Sequence, residues 1–252
     1  MIGLVAALYL SPLVFERQIL PALLPHLPGS GVLPRGVEAS DTPLGIPPTT
    51  SGSAQYVLQE SPDPAQDFVA YDPCRPLHYV IRTELAPNGS DGLVAEAVAE
   101  ISAATGLQFV YDGPTGEAPS EERENYQPDR YGKKWAPILI AWTSPVEVPD
   151  LAGDTVGLGG SSYAQTPGEP LVYVAGQAQL DAPDIAGILT RPTGREDVRA
   201  IIMHELAHVV GLGHVNDRNE LMFEENTGQT ALGPGDRAGL AALGAGPCVP
   251  QL

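Results

Sequence analysis

The sequence predicts an α+β domain in which one sheet packs against about three helices. Three observations carry this. Short apolar runs with strand character begin early and are separated by turn residues. Two stretches repeat apolar residues at helical spacing, and a shorter one closes the chain. At 252 residues with 43% apolar content, the chain can bury one large core and still carry extensions.

The ends and the charge bound what the domain can do. Residues 1–15, MIGLVAALYLSPLVF, are apolar and uncharged. They are short for a membrane span and suit a signal peptide or an anchor. Residues 16–66 are rich in Pro, Gly, Ser and Thr, and read as an extended linker or pro-segment. The folded domain is expected over 67–252. Thirteen basic residues against 31 acidic ones leave a net charge of −18, which argues against nucleic acid as a partner.

Within the domain, LHYVIRT (77–83) alternates Leu77, Tyr79 and Ile81 and predicts a strand. A helix follows from about Asp91 to Ala104, with Val94, Ala97, Val98 and Ile101 as its apolar stripe and Gly106 beyond its end. LQFVY (107–111) is a second strand. The polar insert GPTGEAPSEERENYQPDRYGKK then reads as a solvated loop. PILIAW (137–142) is continuously apolar, as a central strand should be. TVGLGG (155–160) suits an edge strand, and LVYVAG (171–176) another strand. REDVRAIIMHELAHVV predicts a strong helix, with Glu196 and Asp197 in its first turn and Gly211 at its end. GDRAGLAALG is the closing helix.

The run HELAHVVGLGH, His204 to His214, carries the chemistry. On a helix, His204 and His208 lie one turn apart on one face and can reach one metal at about 2.0–2.1 Å. Gly211 lets the chain leave the helix, and the turn returns His214 to the same ion. Three neutral imidazoles leave a fourth zinc position open to water, as in a catalytic site. Zinc would lower the pKa of that water to about 7, and Glu205 would act as general base and then acid. The chain has five histidines, and three fall in this run. Cys74 and Cys248 are too far apart in sequence for a metal motif. They read as one disulfide in an oxidising compartment, or else as two free buried thiols.

HExxHxxGxxH resembles the signature of the metzincin zinc endopeptidases. NELMFEE supplies Met222, eight residues after His214, for the methionine turn of that clan. Within it the chain is similar to the matrixins over approximately residues 74–245, through the short His214–Met222 spacing and a closing helix with Asp236, Gly239 and Leu240. DPCRPLHYVI, AEISAATGLQFVYDG and PILIAW resemble an actinobacterial matrixin-like group. The resemblance implies a metzincin-like catalytic domain: a mixed, twisted five-stranded sheet, about three helices, an active-site helix and a methionine turn. It also implies one catalytic zinc ion, and an edge strand at Gly157, Leu158, Gly159 and Gly160 that pairs with the substrate backbone.

The chain departs from its relatives in places. Phe223 and Glu224 follow Met222, where some clan members carry a tyrosine two residues after the methionine. Outside the run there remain His26 and His78, too few for the second, structural zinc of vertebrate matrixins. Asp150, Asp154, Asp181 and Asp184 offer calcium ligands but read more simply as solvated carboxylates. Cys74 has a faint likeness to a zymogen's zinc-blocking cysteine, yet it lies three residues before the first strand, which favours the Cys74–Cys248 disulfide. The expectation is a secreted or membrane-anchored zinc metalloendopeptidase with its catalytic domain outside the cell. It would act as a monomer on protein or peptide substrates, touching a membrane through its N-terminal apolar segment alone. The rival is a zinc-binding adhesion or cell-wall factor without turnover. The segment FEENTGQT after Met222 should wall the specificity pocket, where its two acidic residues hint at a basic preference.

Overall fold

A computed structural model of the protein describes residues 36–50 and 55–252. The apolar segment 1–15 and much of 16–66 lie outside the described residues. Among the described residues no helix is long and apolar enough to cross a membrane.

The strands are β1 (Val57–Leu58), β2 (Ala70–Tyr71), β3 (Leu77–Arg82), β4 (Phe109–Pro114), β5 (Ile138–Thr143), β6 (Gly157–Ala164), β7 (Val172–Asp181) and β8 (Leu212–Gly213). The helices are α1 (Leu93–Thr105), α2 (Pro128–Tyr131), α3 (Ala182–Leu189), α4 (Gly194–Val210) and α5 (Pro234–Gly244). The main sheet runs β2-β7-β5-β3-β4, with β6 on the other edge of β7. All its pairings are parallel except β6 with β7, so the sheet is mixed. All six residues of β5 are buried, as its unbroken apolar run requires.

The expected class is the one observed, with more elements. The sixth strand is the two-residue β2, too short to leave an alternation. β7 runs on to Asp181: Ala178 and Leu180 are fully buried while Gln177 and Gln179 are partly exposed, a period of two that continues past Gly176. Of the extra helices, α2 is a single turn. Helix α3 has eight residues, too few to show a stripe, but Asp181 caps it by accepting a hydrogen bond from the Asp184 amide at 3.2 Å. That cap is the local role of Asp181 and Asp184, read from sequence as solvated carboxylates or calcium ligands.

Helix α1 buries Val94, Ala97, Val98 and Ile101 against α4, and α4 packs across β6 and β7. One core cluster joins these helices to the sheet. The polar insert after β4 is not a wholly solvated loop. Its Arg123 and Glu117 are 4% and 7% exposed and paired at 2.9 Å, and Arg123 also donates to the carbonyls of Gly176 and Pro137. A buried charge pair is tolerated because each partner's remaining groups find hydrogen bonds. Burial works to raise the Glu117 carboxyl, but Arg123, Tyr131 and Gln127 together hold it below the usual range.

A disulfide joins Cys74, before β3, to Cys248, after α5. Cys74 therefore offers no free thiol to block a metal. The N-terminal residues that are described lie against the domain. Ser40 and Leu44 donate to the carbonyls of Cys74 and Pro73 at 2.8 and 2.9 Å. Val57 and Leu58 pair antiparallel with Gly213 and Leu212. Val57 and Leu58, read from composition as part of a linker, thus belong to a two-stranded sheet, because main-chain hydrogen bonds do not depend on side-chain composition.

Candidate metal centre

Helix α4 carries His204 and His208 one turn apart, and Gly211 ends it at a φ of 113°, in the left-handed region. A Cβ at Gly211 would also approach the Val69 carbonyl at 3.1 Å, so both backbone and space favour glycine there. The chain turns through β8 and brings His214 back. The three Nε2 atoms form a triangle with sides of 3.1, 3.1 and 3.0 Å. Three nitrogens bound tetrahedrally at the usual zinc distance would stand about 3.3 Å apart.

The rings are oriented for a cation. His204 Nδ1 donates to the Leu221 carbonyl at 2.9 Å, and His208 Nδ1 to the Leu212 carbonyl at 2.8 Å. Each bond places the ring proton on Nδ1 and turns the Nε2 lone pair toward the shared point. Burial, joined by the neighbouring rings, lowers both pKa values and takes His208 down to about 4. Neutral lone pairs converging in a partly buried site repel one another unless a cation sits between them. The donor set fits zinc: three imidazoles with a fourth side open to a cleft.

Glu205 lies between the two helix histidines, 7% exposed, and lines a cavity of about 510 Å³ together with the three histidines. Burial raises its carboxyl to about 8. The glycines of β6 explain how it fits. A Cβ on Gly157 would lie 2.8 Å from the Glu205 carboxyl oxygen, and one on Gly159 would lie 2.1 Å from its carbonyl oxygen. The strand is glycine-rich because helix and strand approach this closely. Gly160 has open space where a Cβ would be, and Leu158 lines the cavity. Strand β6 pairs with β7 on one edge, and among the described residues no strand covers the other. Ser161 further ties β6 to α4, donating to the Val209 carbonyl at 2.7 Å.

Met222 is 1% exposed and sits in a turn wired to the ligands. Leu221 holds the His204 ring through its carbonyl, and the Met222 carbonyl accepts from Val215, the residue after His214, at 2.9 Å. Asp236, at the start of α5, accepts from Leu221, Met222 and Gly233 at 2.6, 3.2 and 2.8 Å. Glu220 returns the arrangement by accepting from Gly235 and Asp236, both at 2.9 Å. Burial, then the nearby Glu220, pushes the Asp236 carboxyl upward against its three N–H donors. Six of the eight residues of FEENTGQT, Phe223 to Thr227 and Gln229, line the cavity. Ile188 and Ile201 add apolar lining to the same cavity; Ile188 stands on α3, a helix too short to show a stripe in the sequence. His78 is no part of this centre: it lies on β3 and bonds Asp112 at 2.8 Å.

Sheet, histidine triangle and wired methionine turn together give the domain a metzincin-like arrangement. Residues 134–243 match the family model for matrixins, and this segment holds α4, all three histidines, Met222 and Asp236. Archaemetzincin from Methanopyrus kandleri is similar at 17% identity and a TM-score of 0.35, over 67% of this chain and 94% of its own, a likeness too loose to bear on function. No curated protein matches the chain.

Proposed function

We propose that the protein is a secreted or membrane-held zinc endopeptidase that hydrolyses peptide bonds of protein substrates outside the cell. The observation that carries this reading is the triangle of Nε2 atoms opening on a cleft beside the buried Glu205 carboxyl. When bound, zinc supplies Lewis acidity, polarising the scissile carbonyl and making water a nucleophile at neutral pH. Glu205 takes the proton of the attacking water and passes it to the leaving amine. Burial raises the Glu205 carboxyl, and the positive charge of a bound zinc would act against that rise and favour the ionised base. The uncovered edge of β6 offers main-chain donors and acceptors to an extended peptide, which sets the scissile bond over the histidines. The disulfide supports an oxidising compartment and, with the apolar segment 1–15, export.

The test is cleavage of an unfolded protein substrate by wild type and Glu205→Ala, with zinc content measured in both. The variant should keep its zinc and lose about 10²–10⁴ in rate. Equal cleavage, or wild type without zinc, would overturn the reading.

A further inference from the structure

The turn between His208 and His214 is held by a residue 149 positions before His208. Gln59 follows β1 and lies partly buried against the end of α4. Its Nε2 donates to the His208 carbonyl at 3.1 Å and to the Leu212 carbonyl at 3.4 Å. Its main-chain N–H donates to the Gly211 carbonyl at 2.9 Å. Tyr173 donates its hydroxyl to Gln59 Oε1 at 3.2 Å, so the carboxamide cannot turn over without setting acceptor against acceptor.

The partners of this side chain are not arbitrary carbonyls. Leu212 provides the oxygen that orients the His208 ring, and His208 provides the main-chain oxygen of a ligand residue. A carbonyl has two lone pairs, so Leu212 can accept from both the ring and Gln59. We infer that Gln59 is a positioning residue for the metal centre, its carboxamide fixing the two carbonyls that set the His208 ring and the exit toward His214. This rests on the zinc reading above. Groups that orient metal-bound histidines typically matter by about 10–100-fold in metal affinity.

The experiment measures zinc affinity by competition with a chelator, and the visible ligand-field spectrum of the cobalt(II)-substituted protein. Gln59→Met keeps the length of the side chain and removes both polar ends. It should weaken zinc binding about tenfold or more and shift the cobalt bands. Tyr173→Phe, which removes the hydrogen bond to Oε1 and loosens the carboxamide, should shift the bands in the same direction by less. Val57→Gly loosens the same strand without touching the carboxamide, and should lower the unfolding midpoint while leaving the cobalt bands in place. A Gln59→Met protein with wild-type zinc affinity and bands would overturn the inference. If that variant does not fold, unchanged bands in Tyr173→Phe overturn it instead. Wild type that takes up neither metal overturns the zinc reading itself, a result distinct from a metal-loaded wild type matched by its variants.

Discussion

The two histidines that α4 turns toward the candidate metal position are held in the same manner at first and then in opposite ways. Each ring donates from Nδ1 to a main-chain carbonyl, Leu221 for His204 and Leu212 for His208. The Leu221 turn is pinned by carboxylates: Asp236 accepts three N–H groups, and Glu220 two. The Leu212 turn is pinned by a neutral carboxamide that donates to carbonyls. The first turn presents N–H groups and so needs acceptors; the second presents carbonyls and so needs donors. The choice of pinning residue follows from which end of the peptide unit faces inward.

The difference can be tested by substitution. The largest effect is expected from Asp236→Ala, which leaves three N–H groups without an acceptor in a buried turn. It should cost about 3–5 kcal/mol in urea unfolding and weaken zinc binding through His204. Unchanged stability would mean that the carboxylate pin is dispensable. Next is Gly159→Ala, whose Cβ would meet the Glu205 carbonyl oxygen at 2.1 Å. It should cost about 3 kcal/mol by forcing β6 from α4, and lower cleavage while both pins stay intact.

A smaller effect separates the pins by pH. Asp236 is raised in the fold, so the folded protein binds the proton more tightly than the unfolded chain. Wild-type stability should therefore rise relative to Asp236→Asn as pH falls through the raised folded value toward the unfolded value near 4. The gap between wild type and Gln59→Met should stay level over the same window, because the carboxamide does not titrate. Unfolding series at several pH values would show two parallel curves and one that converges or diverges. The smallest effect on the metal centre is expected from reducing the disulfide, which shares no hydrogen bond with either turn. Reduction should lower the unfolding midpoint yet change zinc affinity by less than about twofold.

What the sequence made legible follows the range of each interaction. His204, His208, His214 and Met222 are local in the chain, and spacing alone brings them together. The stripe on α1 and the apolar run of β5 declare themselves because burial of a face leaves a period. Gly157 and Gly159 were visible as an edge strand, but the reason for glycine there, the approach of Glu205, required the packing of α4 on β6. Asp236 was visible as part of a family pattern and not as the acceptor for the methionine turn. Gln59 left no signal, because a single polar residue in a Pro- and Ser-rich stretch carries no periodicity, and its partners lie about 150 residues away.

The pairing of Val57 with Gly213 has a consequence for the order of assembly. At translation rates of about 5–20 residues per second, roughly 10–30 seconds separate the synthesis of these two partners. Closing so long a loop comes late relative to local structure. Helix α4 can present His204 and His208 as soon as it forms, while the turn to His214 waits for the earliest-made strand of the described chain. The turn that carries His214 is therefore finished by the oldest described strand.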